Sequence, residues 1–178
     1  VTVALLVLTV VAVTSPAVRG DQRATPESRL KATFVCRFPQ FVSWPPGVLK
    51  GRKTLDICVL EPNPFGPVLH DLVAGVSTDD RPIAVRTLRL TSGVTGCQVL
   101  FLPANAPGRD VLLERVSRWP ILTVSDDHRF LDAGGIIELR VIRDQVRFGV
   151  NLDAARSAGL QLSAQLVRLA TEVRGGGQ

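Results

Sequence analysis

The sequence is poor in the side chains that most often carry chemistry. It holds only two histidines, His70 and His128, and three cysteines, Cys36, Cys58 and Cys97. A structural zinc wants four ligands in closely spaced pairs, and these scattered groups do not supply them. No G-x-G-x-x-G turn and no Walker A loop is present, so those phosphate cradles are absent too. Nucleophilic hydrolysis needs a nucleophile, a base and an orienting group within mutual reach. Only Ser125-Asp126-Asp127-His128 offers such residue types, at a strand end where α/β sites usually lie. Sequence neighbours seldom form a triad, and Asp126 reads as the cap of a following turn. A hydrolase is therefore the weakest functional reading, and no catalytic residue, metal ligand or cofactor is expected.

Clustered charge is also missing. Lysine and arginine outnumber aspartate and glutamate by 21 to 16, giving a net charge of +5. Such a surplus suits an acidic partner, an anionic membrane face or a phosphate group. The basic residues are spread singly, however, and no helix-turn-helix, RNA-binding or zinc-finger spacing accompanies them, so nucleic acid is not an expected partner. Arg86, Arg89, Arg140, Arg143 and Arg147 could hold a small anion. They are the basis for an alternative reading, a small-ligand-binding module.

No apolar run reaches the roughly 20 residues of a membrane-spanning helix. The longest, Val1 to Val13, is followed by Ser15-Pro16-Ala17 and then by polar Arg19 to Arg23. That is the pattern of a signal-peptide core with small residues at the cleavage site, although no basic segment precedes Val1. An uncleaved inner-membrane anchor is the alternative. The expected division is a signal peptide over 1–17, a flexible leader over 18–26, one domain over 27–174 and a disordered tail over 175–178. An exported chain with no membrane insertion after cleavage follows.

Within the domain, apolar spacing alternates between two kinds. Leu30, Phe34, Phe38 and Phe41 recur at helical intervals from Glu27 to about Val42; Pro39 should bend or interrupt that helix, and Pro45-Pro46-Gly47 ends it. Thr54 to Leu60, Ile83 to Leu88, Val99 to Leu102 and Ile121 to Val124 read as buried strands. Helices are expected from about Phe65 to Ala74 and over 108–118. Strands and helices in this rhythm argue for parallel βαβ units. Ile137 to Val150 alternates apolar and polar residues around Arg143-Asp144, which reads as an antiparallel hairpin. A last helix is expected from Asp153, pausing at Gly159 and running on through Leu162, Leu166 and Leu169. The fold class expected is α/β, a three-layer sandwich. It has a mostly parallel central sheet, a C-terminal antiparallel hairpin and helices on both faces.

Cys58 lies within the first of these strands and Cys97 at the mouth of the third. Such strands are often neighbours in a doubly wound sheet, which would bring the sulfurs within bridging reach. Three unpaired thiols is the other arrangement, and Cys36 has no evident partner. Several segments carry a family resemblance in order. They are Lys31 to Phe38 with Phe41-Val42-Ser43-Trp44-Pro45, Ile57-Cys58-Val59-Leu60 with Asn63-Pro64-Phe65-Gly66, and Gly96 to Phe101. Leu122 to Asp126, Phe130 with Gly134 to Ile137, and Val146-Arg147-Phe148 leading into Asn151 to Ala155 complete the set. Together they resemble the YfiR-like periplasmic family across residues 27 to 173.

That resemblance implies a periplasmic α/β sandwich, often a homodimer, and a Cys58–Cys97 disulfide. It also implies a repressor that binds the periplasmic domain of an inner-membrane diguanylate cyclase or another membrane sensor, lowering cyclic-di-GMP. Some relatives carry a second cysteine pair about the Gly-Gly segment, but Asp132 to Leu139 has no cysteine, so control through a second bridge is not implied here. For partner binding the aromatic residues Phe38, Phe41 and Trp44 are the candidates. Aromatics bury much area while losing few rotamers, and this chain is only 5% aromatic. The competing role of the same stripe is to pack on the sheet.

Overall fold

A computed structural model describes residues 24–176. The signal-peptide expectation falls on residues outside that range. The first helix, α1 (Pro26–Arg37), starts where Thr25 caps it, its hydroxyl accepting the Ser28 N–H at 3.1 Å. The helix stops short of Val42, interrupted at Pro39 as expected. It tightens into a 3-10 turn over Phe38–Phe41 and gives way to strand β1 (Val42–Ser43). Pro39 has no N–H to continue the α-helical ladder, which accounts for the change.

Next come β2 (Leu55–Leu60), α2 (Val68–Val73), β3 (Ser77–Thr78), β4 (Arg81–Leu88) and β5 (Val99–Leu102). They are followed by α3 (Arg109–Val116), β6 (Leu122–Ser125), β7 (Ile137–Ile142) and β8 (Gln145–Asn151). The hairpin between β7 and β8 turns on Arg143 and Asp144, both at positive φ, as a tight two-residue hairpin requires. The expected single C-terminal helix is broken into α4 (Leu152–Ser157), β9 (Gln161–Leu162) and α5 (Ala164–Leu169), and β10 (Glu172–Arg174) follows. The break has a local cause. Gly159 adopts positive φ, and Ser163 then caps a new helix by accepting the Leu166 N–H at 3.2 Å.

Eight strands form one sheet in the order β10-β8-β7-β6-β5-β2-β4-β3. From β4 to β7 every neighbouring pair is parallel, the β7–β8 hairpin is antiparallel, and β10 lies parallel to β8. Alternate residues of β2 separate two apolar layers. Ile57 and Val59 join one core with Ala32, Val35, Leu69, Ala155 and Leu166, so α1, α2, α4 and α5 cover that face. Cys58 and Leu60 join the other with Leu112, Leu113 and Val116 of α3. The result is an α/β sandwich of three layers with a mostly parallel sheet. β1 and β9 pair separately, Val42 opposite Leu162 and Ser43 opposite Gln161.

Candidate functional site: an aromatic face and a sulfur bridge

The segment after α1 carries the candidate partner-binding residues, and their environments differ. Phe38 is only 2% exposed. Its ring packs edge-on against Phe148 at 5.5 Å between centroids, with Phe34 at 6.2 Å. Phe38 is therefore a core residue rather than a surface anchor. The helical spacing places it on the stripe that faces β8, so the sheet claims it first. Phe41 and Trp44 are half-buried and lie at the margin of the same core.

These two residues are held by the main chain on both sides. The Ser163 N–H donates to the Phe41 carbonyl at 2.8 Å, and the β1–β9 pairs follow at once. A Cβ on Gly159 would stand 3.1 Å from Pro45, so the glycine allows the chain after Trp44 to pass closely. The Trp44 indole N–H is enclosed and meets no acceptor among the described residues. Phe41 and Trp44 thus lie on a braced segment at the margin of the core.

Cys58 and Cys97 are joined in a disulfide, with Cα atoms 5.8 Å apart. Neighbouring β2 and β5 bring them together, since Ile57 stands opposite Val99. An Arg86 guanidinium nitrogen lies 3.4 Å from each sulfur and 3.1 Å from the Thr95 carbonyl. Nothing in the sequence points to that guanidinium, because Arg86 is one of many scattered arginines. Cys36 is a free, buried thiol, and burial pushes its pKa up, away from the reactive thiolate.

The Ser125 to His128 stretch is structural in its geometry. The Ser125 hydroxyl is buried and donates to the Leu102 carbonyl at 2.5 Å. Asp126 does not cap the turn. Its carboxylate accepts from Lys31 Nζ at 2.8 Å and from the Ala104 N–H at 2.9 Å. The cap is Asp127, which accepts the Arg129 N–H at 2.9 Å and pairs with Arg109. The His128 side chain is 82% exposed, with Nδ1 3.8 Å from Asp127. No hydroxyl, imidazole and carboxylate converge there. Among the described residues no group of three histidine, cysteine, aspartate or glutamate side chains is placed to hold a metal ion.

Burial works against the charge on Lys31, but hydrogen bonds to Asp126 and Glu27 outweigh it and raise its pKa. Burial likewise opposes the Asp127 charge, yet the Arg129 N–H and the Arg109 cation hold that carboxyl below its ordinary value. The arginines considered for anion binding do not converge either. Arg86 faces Asp56 at 3.2 Å, Arg89 faces Glu61 at 3.4 Å, and Arg140 lies between Glu138 and Glu172. Arg143 sits in the hairpin turn, and Arg147 donates to Gln145 at 2.5 Å.

The family described as DUF4154, YfiR/HmsC-like, matches residues 28–171. The chain belongs to the YfiR/HmsC-like family. That family is regulatory and non-catalytic, and is known for periplasmic regulators of diguanylate cyclases. The YfiR/HmsC-like match takes in every strand from β1 to β9, both bridging cysteines, Phe41 and Trp44. A crystal structure of a conserved domain protein from Vibrio cholerae O1 biovar eltor str. N16961 is similar, with a TM-score of 0.46 and 11% identity. The likeness covers 71% of this chain and 56% of that one, so the chain spans little more than half that protein's length. No curated protein matches. Among the described residues no helix is long and apolar enough to cross a membrane.

Proposed function

We infer that this protein is a periplasmic repressor that binds the periplasmic sensor domain of an inner-membrane diguanylate cyclase. The observation that carries the reading is membership of the YfiR/HmsC-like family over residues 28–171. The disulfide supports residence in an oxidising compartment, since such bridges persist outside the reducing cytoplasm. Phe41 and Trp44 are the contact residues in this reading, because they are aromatic, partly exposed and braced.

Repression works by differential affinity. A ligand shifts a two-state enzyme only as far as it prefers the inactive conformation. Silencing about a hundredfold needs a preference of roughly 2.7 kcal/mol, within the range of one or two aromatic anchors buried at an interface. The experiment is co-expression with a membrane diguanylate cyclase of the same genome, with cyclic-di-GMP measured in the presence and absence of the protein. Repression predicts a rise on deletion. An unchanged level would remove the reading.

A further inference from the structure

Strand β4 runs on past its only outer neighbour. β3 pairs with Arg81 and Pro82 alone, and no other strand lies on that side among the described residues. On the inner side β2 pairs with β4 from Ile83 to Leu88. Two bonds fix the phase. The Glu61 N–H donates inward to the Leu88 carbonyl at 2.8 Å, and the Ile83 N–H donates outward to the Val76 carbonyl at 3.2 Å. Main-chain groups alternate sides along a strand, so residues 84, 86 and 88 face β2, while Ile83, Val85 and Thr87 face outward. Val85 and Thr87 each turn an N–H and a carbonyl to the open edge, and Ile83 turns a carbonyl. None has a main-chain partner among the described residues. A row of this kind is a template for one more strand.

The edge is also shaped. Between β4 and α2 lie two adjoining hollows of about 510 and 690 Å³, with His70 bordering both. Val73, Val76 and Val85 give the first an apolar wall, and Pro67 and Thr87 border the second. Val85 packs on the core that α2 covers, so the hollows lie on that face of the sheet.

The opposite face of the edge carries Arg86, Arg52 and the Asp56 carboxylate 3.2 Å from Arg86, which leaves it one net positive charge. Arg86 points there, against the disulfide, with its side chain 40% exposed. Arg52 reaches the same place. The two guanidinium groups each come within 3.4 Å of where a Cβ on Gly96 would stand. The Arg52 bonds are to the carbonyls of Val48 and Gly96, and it has no carboxylate partner among the described residues.

We propose that the outer edge of β4 docks an extended segment of another protein as an added strand. Its apolar side chains enter the hollows along α2, and acidic side chains at the alternate positions face Arg86 and Arg52. The strand form follows from the unpaired main-chain groups, which a helix or a small molecule would leave unsatisfied. The acidic partner follows from charge complementarity. A second copy of this chain, paired edge to edge, would set two Arg86–Arg52 clusters on one face, and their repulsion disfavours it. The elements involved differ from those that carry Phe41 and Trp44, and the proposal does not depend on the partner being a cyclase.

The test uses the oxidised, full-length protein and a fluorescein-labelled, end-capped octapeptide that alternates valine and glutamate. Anisotropy should show saturable binding, and amide exchange of Val85 and Thr87 should slow while Ala84 and Arg86 stay as they were. An octapeptide alternating valine and lysine should bind at least about tenfold more weakly, as should the Arg52→Glu variant. Val85→Pro should abolish binding, because it deletes an outward N–H and no inner hydrogen bond. If that variant does not fold, the exchange pattern of the unaltered protein decides. Absence of saturable binding, equal affinity for the lysine peptide, or protection at Glu172 to Arg174 instead would each overturn the proposal. None of these results bears on cyclic-di-GMP repression, which is read in cells by gene deletion.

Discussion

Lys31 and Asp126 stand 95 residues apart in the chain, and their side chains meet at 2.8 Å. The contact ties the first helix to the C-terminal end of β6, and both groups are largely shielded from water. Breaking a shielded pair from one side leaves the other charge uncompensated, which costs more than losing a surface bridge. Asp126→Ala also strips the Ala104 N–H of its acceptor. We expect a loss of about 2 kcal/mol in urea unfolding. A change no larger than that of a surface substitution would show that the pair contributes little.

Acid should act through Asp127. Its folded pKa is depressed, burial being outweighed by the Arg129 N–H and the Arg109 charge. A group with a depressed folded pKa stabilises fully above its unfolded value, and that contribution is lost as pH falls through the folded value. Urea midpoints should therefore decline below about pH 4, and Asp127→Asn should flatten that decline. Parallel slopes for the two proteins would assign acid sensitivity to other carboxylates.

The bridge between Cys58 and Cys97 closes a loop of 39 residues. The chain-entropy model puts its worth at roughly 4 kcal/mol, as an upper figure. Cys58→Ser with Cys97→Ser should lower unfolding stability by an amount approaching that, and reduction of the native protein should do the same. Cys36→Ser should be much milder, since Cys36 is unbridged. Equal effects from all three would contradict the pairing.

Phe38 and Trp44 should separate stability from binding. Phe38→Ala opens a cavity beside Phe148 and should cost about 3–5 kcal/mol, as large-to-small changes in tight cores do. Trp44→Ala, at the half-exposed margin, should cost less stability and more partner affinity. Thermal melts and pull-down of the sensor domain of the proposed cyclase partner read the two effects independently.

The parallel strands were legible because a strand buried on both faces reads as an unbroken apolar run, as Val99 to Leu102 does. The β7–β8 hairpin was legible from its period of two around Arg143-Asp144. What the sequence did not disclose depends on distant partners. Gln161 and Leu162 form a strand only because Val42 and Ser43 lie opposite them, so the helical spacing of Leu162, Leu166 and Leu169 misleads. β10 is three residues long and exists through its pairing with β8. The same limit applies to the aromatic face. Spacing of three and four puts Phe38 on a stripe without saying whether the sheet or a partner meets it. The turn after β6 is subtler still. Asp126 and Asp127 are equivalent as residue types, and the reach of Lys31 from α1 decides which one caps.

The most direct measurement of the account is intracellular cyclic-di-GMP in three strains: one lacking the gene, one restored with the unaltered protein and one restored with Trp44→Ala. Repression through the braced aromatic face predicts a raised level on deletion, a return with the unaltered protein, and a level still raised with the Trp44 variant despite normal export. A level indifferent to deletion would contradict the regulatory account, and full restoration by Trp44→Ala would move the contact off this face.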